Sequence, residues 1–360
     1  AGSLDSIAAT AFNEARRRQI EFRPVLYHLI QFAARQSDVP TAERLLAEYT
    51  ASEPDSTYVT ASRLTVECAA SSAHVIDWRT AVETDPLAVH WTAQSLAKAG
   101  LRTDCARAGW TALLEHATPG AAGENYRFGA LMALHSLLSA EGRREDIESL
   151  WAGQTEFADY AGDLLLLAAN AGVPLDSRAE AYAGELRAAM PSGELASYEI
   201  WMLGVWEQEN GRAESVRLLA DTLAARFVQS GARLDRLMAD VMEARAVLAA
   251  GDTMTALDLF RLLAPNKRRS EIWYPWETLA AETVTFARLL HARGQYAEAA
   301  RVASSLDAPA RPAVDLMYLP ASLAIRARAA RALGDEELER RSRERLANLG
   351  RTDLIETLDR

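Results

Sequence analysis

Three arginines in the C-terminal half of the chain recur at nearly equal separations. Arg288 follows Arg245 by 43 residues, and Arg328 follows Arg288 by 40 residues. A guanidinium group is planar and always charged, and it can hold a carboxylate or a phosphate through two parallel hydrogen bonds. A fold that brought the three groups together would bind an acidic partner, so these arginines are the first candidates for a binding site.

A series of glycines indicates which fold could align the arginines. The glycines recur every 30 to 43 residues between stretches with the periodicity of amphipathic helices, and they are Gly100, Gly142, Gly172, Gly211, Gly251, Gly294 and Gly334. Glycine readily ends a helix because it adopts a left-handed conformation without steric cost. One such breaker per unit is typical of stacked helical hairpins, so we predict an all-α fold, a right-handed α-solenoid of about eight or nine hairpins.

The repeat runs through the chain, which predicts one solenoid domain rather than several globular ones. We expect this domain to span residues 1–360, with more divergent repeats over 1–190 and more regular repeats over 191–350. Helical periodicity continues to a last predicted helix near 335–349, and the alternation typical of strands is almost absent. Hydrophobic residues make up 49% of the 360 residues, which is ample material to bury between helices.

Small and aromatic residues in the C-terminal units carry a resemblance to a known family. When the turn glycine is counted as the fifteenth position of a unit, Ala287, Gly294, Tyr296 and Ala299 have the types that the tetratricopeptide repeat places there. The chain therefore resembles the tetratricopeptide-like superfamily. That resemblance implies a superhelix in which the first helix of each hairpin lines a concave face.

The same resemblance implies which side chains point into the concave face. The family's inward positions fall on Tyr198, Trp201, Arg245, Arg288, His291 and Arg328. Two alternatives remain open for these residues. Each arginine could pair with a neighbouring glutamate such as Glu243 or Glu282, and the tryptophan rings could fill the space between stacked hairpins.

Two further segments carry a narrower resemblance. The first is Phe22-Arg23-Pro24 with Tyr27-His28-Leu29-Ile30, and the second is Tyr318 to Ser322 running on to Leu333-Gly334-Asp335. They are similar to the helical-repeat regions found C-terminal to bacterial serine/threonine kinases and related signalling regulators. The sequence has none of the kinase catalytic motifs, such as His-Arg-Asp or Asp-Phe-Gly. The resemblance therefore implies a sensory or docking module.

Charge and composition exclude several classes of function. The net charge of −11 repels nucleic acid and anionic membranes. The six histidines are scattered without metal-ligand spacing, so we expect no metal or organic cofactor and no enzymatic activity. No apolar run reaches the ~18 residues of a membrane span, so we expect no membrane insertion.

The two cysteines indicate in which cellular compartment the protein is expected. Cys68 and Cys105 belong to no metal-binding pair, and we expect them to be separate core residues in a soluble, cytoplasmic protein. Their separation of 37 residues is close to one repeat, which leaves a disulfide between neighbouring units open. An extracytoplasmic domain of a larger signalling protein is the alternative location.

These observations predict a scaffold that binds a protein or peptide, with an acidic segment of that partner held by the arginines. A ligand-sensing domain that takes a small anionic molecule in the Arg-lined C-terminal half is the first alternative. An enzyme built in an all-helical solenoid is the second. An apolar, aromatic groove would favour the scaffold, whereas a polar cluster in the groove would favour either alternative.

Overall fold

The computed structural model describes residues 4–17, 25–52, 56–71, 75–99, 102–118, 120–263, 278–307 and 311–359. Within these ranges all regular secondary structure is helical and no strand occurs, so the all-α prediction is confirmed. Phe22–Pro24 and Gly100, which contributed to the sequence argument, lie outside the described residues. The chain forms two compact units, Ala1–Leu137 and Leu138–Arg360.

The helices of the first unit begin and end as follows, and the last of them continues into the second unit: α1 (Leu4–Arg17), α2 (Val25–Arg35), α3 (Val39–Ser52), α4 (Thr57–Ala70), α5 (Trp78–Thr84), α6 (Pro86–Ala99), α7 (Thr103–His116) and α8 (Ala121–Ala140). The division between the units falls within α8, whereas the sequence predicts a change to more regular repeats near residue 190. A single solenoid domain over the whole chain stays a prediction.

The second unit holds the following helices: α9 (Arg144–Ala152), α10 (Ala161–Asn170), α11 (Asp176–Ala189), α12 (Ser197–Glu209), α13 (Ala213–Ser230), α14 (Arg233–Ala249), α15 (Thr253–Leu263), α16 (Ala280–Ala292), α17 (Tyr296–Ala303), α18 (Leu319–Leu333), α19 (Glu336–Asn348) and α20 (Thr352–Asp359). The sequence periodicity did not predict α20, a helix of 8 residues that buries Leu358.

In both units several successive even-numbered helices contact one another, while odd-numbered helices pack beside them. In the first unit, α4 contacts both α2 and α6. In the second unit, α12 contacts α10 and α14, and α18 contacts α16 and α20. Each odd-numbered helix from α11 to α19 packs against the helices that precede and follow it. The helices therefore pack with their sequence neighbours, as a helical repeat requires.

The predicted glycine turns are present wherever the structure describes them. All glycines of the series except Gly100 have a positive φ, as at Gly251 with a φ of 89°. The Gly251 N–H donates to the Leu248 carbonyl at 2.9 Å, and the Asp252 N–H donates to the Val247 carbonyl at 3.2 Å. These two bonds satisfy carbonyls at the end of α14 and reverse the chain within a few residues.

The small residue predicted for a close helix contact is fully buried. Ala299 lies on α17, which packs against α16 and α18, and it is 0% exposed. We expect Ala299→Arg to lower the free energy of unfolding by ~1–3 kcal/mol or more, because the longer side chain overpacks the contact and buries a charge. Ala297→Arg on the exposed side of α17 is the control, measured in parallel by urea denaturation. Equal stability of the two variants would contradict the predicted alignment.

The two cysteines form a disulfide, which corrects the expectation of separate core residues. Cys68 on α4 and Cys105 on α7 are both fully buried, and their Cα atoms lie 6.2 Å apart. The helical pairs bring residues about one repeat apart into register, and that is why a separation of 37 residues places the two side chains together. The bridge links an even-numbered helix to the odd-numbered helix of the following pair.

Loss of this bridge should destabilise the fold. Closing a loop of this length restricts the unfolded chain, so we expect Cys68→Ala/Cys105→Ala to cost ~3–4 kcal/mol of unfolding free energy. Urea denaturation with and without a reductant checks this, since reduction should destabilise the original protein and leave the double variant unchanged. Two reactive thiols per chain in denatured, unreduced protein would show that the bridge is absent.

Candidate functional site

A buried ion pair joins α14 to α16 in the second unit. Arg245 is 0% exposed and Glu282 is 3% exposed. The Arg245 Nε and Nη2 atoms lie 2.8 Å and 2.7 Å from Glu282 Oε1. The Nη1 atom donates to Gln208 Oε1 on α12 at 2.6 Å. One guanidinium therefore bridges three even-numbered helices, α12, α14 and α16.

This geometry gives Arg245 a different role from the one predicted for it. Its guanidinium is already held by a carboxylate inside the protein, so the pairing alternative with Glu282 holds for this arginine. The reason is that Glu282 on α16 reaches the Arg245 guanidinium inside the protein. Glu243, the other glutamate considered, lies 2.6 Å from Arg217 instead. Arg245 is thus not free to bind an external acid.

Trp201 belongs to the same buried cluster. Its side chain is 2% exposed, and its Nε1–H donates to Glu282 Oε1 at 2.9 Å. One oxygen of Glu282 therefore accepts hydrogen bonds from both Arg245 and Trp201. The ring fills space between helices, which is the packing alternative for this tryptophan, and it also helps to satisfy a buried charge.

A small cavity lies beside this cluster. Its lining includes Trp201, Thr278, Asp315 and Tyr318, and the Thr278 hydroxyl donates to Asp315 Oδ1 at 2.7 Å. The cavity holds about one water molecule. The cavity is therefore too small for the organic anion that a ligand-sensing domain would bind.

Arg288 and Arg328 occupy a different environment from Arg245. They lie on α16 and α18, two helices in contact, and both side chains are exposed. Among the described residues neither has a carboxylate partner, and Arg328 Nη2 donates only to the Thr357 hydroxyl at 3.3 Å. Other arginines of this unit are neutralised locally, as Arg212 is by Glu180 at 3.0 Å. Both guanidiniums can therefore receive an external anion.

His291 lies beside Arg328. Its half-buried ring meets the Tyr296 ring edge-on, with ring centroids 5.1 Å apart. Burial lowers the pKa of His291, and the Arg328 charge lowers it further. A hydrogen bond to the Arg328 backbone raises the pKa, but by less. The imidazole is therefore mainly neutral at neutral pH, where it can offer a hydrogen bond to a ligand held by the arginines.

Tyr198 is engaged with a buried acid on a neighbouring helix. Asp163 on α10 accepts a hydrogen bond from the Tyr182 hydroxyl at 2.7 Å and another from Tyr198. Burial raises the pKa of Asp163 more than these two bonds lower it, while burial and the Asp163 charge raise the pKa of Tyr198. Tyr198 therefore helps to hold α10 against α12.

The sequence reasoning missed an aromatic cluster in the first unit. Tyr27 on α2, Tyr58 on α4 and Trp91 on α6 are half-buried and contact one another. Their ring centroids are 5.4 Å apart for Tyr27 and Tyr58, 5.1 Å for Tyr58 and Trp91, and 6.3 Å for Tyr27 and Trp91. The available signal was their separation of 31 and 33 residues, which is close to one helical repeat.

No protein-family model and no curated protein sequence matches this chain. None of the described helices is long and apolar enough to cross a lipid bilayer. Across the described part of the chain, no group of three or more His, Cys, Asp and Glu side chains is arranged to hold a metal ion. The case for a function therefore depends on the geometry of the surfaces described above.

Breaking the Arg245–Glu282 pair should be strongly destabilising. We expect Arg245→Ala to cost ~3–5 kcal/mol, because Glu282 would remain buried without its counter-charge. The double variant Arg245→Met/Glu282→Leu should recover much of that loss, since neither charge remains. Urea denaturation of both variants checks this, with Arg301→Ala on the surface of α17 as the control. A loss below 1 kcal/mol for Arg245→Ala would contradict the buried pair.

Proposed function

We propose that this chain is a non-enzymatic scaffold that binds a protein or peptide segment on its even-numbered helices. In this proposal the helix pairs are hairpins of a right-handed, tetratricopeptide-like solenoid with about eight or nine units, and the even-numbered helices line its concave face. The alternating contacts of even- and odd-numbered helices within each unit support this arrangement. A role in bacterial signalling is part of the proposal and follows from the sequence resemblance.

The pair Arg288 and Arg328 is the observation that carries the proposal. Each arginine lies six residues before a turn glycine, Gly294 or Gly334, so the two side chains occupy the same position on successive even-numbered helices. Both are exposed, and neither has a carboxylate partner among the described residues. In a chain with a net charge of −11, two adjacent cations without acidic partners favour an acidic ligand.

The spacing of the helices indicates what kind of acidic segment fits. Packed helices lie about 8–10 Å apart, and equivalent side chains on adjacent helices are separated by a similar distance. A peptide in the polyproline II conformation rises about 9 Å in three residues, which make one turn, so the side chains at positions i and i+3 point to the same side. A segment with Asp or Glu at positions i and i+3 would therefore place one carboxylate on each guanidinium, with His291 beside the second.

The disulfide bears on where the protein is located, and the open setting of Arg288 and Arg328 bears on which ligand they bind. Stable disulfides persist mainly in oxidising compartments, so the Cys68–Cys105 bridge favours the extracytoplasmic location over the cytoplasmic one. A small dianion could also bridge Arg288 and Arg328. An exposed pair on open helix faces encloses little of such a molecule, whereas small-molecule sites are usually concave. A peptide that runs across α16 and α18 is the better fit.

A labelled peptide with glutamates at every third position, Gly-Glu-Ser-Ser-Glu-Ser-Ser-Glu-Gly, provides the test by fluorescence anisotropy. We expect Arg288→Ala/Arg328→Ala to weaken binding at least about tenfold, because each charge-assisted hydrogen bond contributes ~1.5–3 kcal/mol. Arg288→Lys should restore part of the affinity, and added salt should weaken binding. Arg301→Ala on α17 is the matched control.

Three outcomes would count against the proposal. The first is no binding of the glutamate peptide beyond that of its glutamine counterpart. The second is equal binding by the original protein and the double arginine variant. The third is tight binding of citrate that depends on Arg288 and Arg328 without any binding of the peptide, which would support the ligand-sensing alternative.

A further inference from the structure

The aromatic cluster of the first unit, Tyr27, Tyr58 and Trp91, has free hydrogen-bonding groups. The rings contact one another, but neither phenol hydroxyl nor the indole N–H has a hydrogen-bond partner among the described residues, and none of these atoms is sealed from solvent. Buried Tyr and Trp usually satisfy their polar atoms. Three half-buried rings whose donors are open to solvent therefore form a surface that a ligand can use.

A positive charge lies near this cluster. The Arg35 guanidinium on α2 is close enough to Tyr27 to lower the pKa of its phenol. Its Cζ atom lies 5.8 Å from the Phe32 ring centroid, and its Nη2 atom donates to the Ser95 hydroxyl on α6 at 3.3 Å. Burial lowers the pKa of His28, and the Arg35 charge lowers it further. The Arg35 charge would repel a cationic ligand. The cluster is therefore unsuited to an ammonium ligand, although aromatic rings bind such cations elsewhere.

The Tyr27 phenol remains a donor over the whole physiological range of pH. Burial raises the pKa of Tyr27 to about 12, even though the Arg35 charge acts in the opposite direction. A neutral phenol donates one hydrogen bond, and the Trp91 indole can only donate. The surface therefore offers apolar ring faces together with hydrogen-bond donors. Its complement is a ligand with apolar faces and acceptors.

We propose that this cluster binds a proline-rich segment of a partner protein in the polyproline II conformation. Proline has no backbone N–H, so such a segment presents carbonyl acceptors without backbone donors at its prolines. Its flat rings pack on aromatic faces, and its extended conformation is largely formed before binding, which reduces the entropy cost. The two tyrosine hydroxyls and the Trp91 N–H donate to the carbonyls between the rings.

Fluorescein-labelled decaproline provides the probe, and a Gly-Ser peptide of equal length is the reference. We expect decaproline to bind the full chain and the Gly-Ser peptide not to bind. Tyr27→Phe/Tyr58→Phe keeps the rings and removes two donors, so it should weaken decaproline binding about tenfold. Trp91→Ala should abolish it. Tyr160→Phe, on an exposed tyrosine of the second unit, should leave it unchanged.

Circular dichroism and a thermal melt establish that each variant is folded, and the Phe variant is informative even where Trp91→Ala is not. Unchanged decaproline affinity in Tyr27→Phe/Tyr58→Phe overturns the proposal, as does equal binding of the two peptides. Binding of a trimethyllysine peptide in place of decaproline also overturns it. Arg288→Ala/Arg328→Ala should bind decaproline normally, so this surface and the acidic-peptide surface succeed or fail separately.

Discussion

The helical turn that ends in a left-handed glycine is the constraint on which the other features depend. A positive φ at Gly251, Gly294 and Gly334 ends each helix and reverses the chain within a few residues. Because the turns recur at 43 and 40 residues, equivalent positions on successive even-numbered helices come into register. Side chains far apart in sequence then share one face, and the arginine pair on α16 and α18 follows from that register.

The register has two physical outcomes for residues of the same type. Arg245 meets Glu282 and Gln208 between helices, where a buried charge is stable only with its partners in place. Arg288 and Arg328 remain in solvent, where their charge is available to a ligand. A buried pair therefore holds neighbouring helices together, and an exposed pair on the next helices offers a binding surface. All three arginines occupy the same position in the repeat, six residues before its turn glycine.

The fold could be predicted from the sequence to a large extent, because glycine spacing and apolar periodicity report local structure. Ala299 was also predictable, since only a small side chain fits where two helices meet. The burial of Arg245 was not predictable, because it depends on how Glu282 on α16 reaches the Arg245 guanidinium. The Cys68–Cys105 bridge and the contacts of Tyr27, Tyr58 and Trp91 likewise depend on the rotation of packed helices, which the repeat period does not specify.

Arginine side-chain NMR can separate the buried arginine from the two exposed ones, since each Nε–H gives its own signal in protein labelled with ¹⁵N-arginine. We expect the glutamate peptide to shift the signals of Arg288 and Arg328. We expect the Arg245 signal to exchange slowly with water and not to move, because that group is buried in its pair with Glu282. Shifts confined to arginines of the odd-numbered helices, such as Arg301, or fast exchange at Arg245, would contradict a binding surface formed by Arg288 and Arg328.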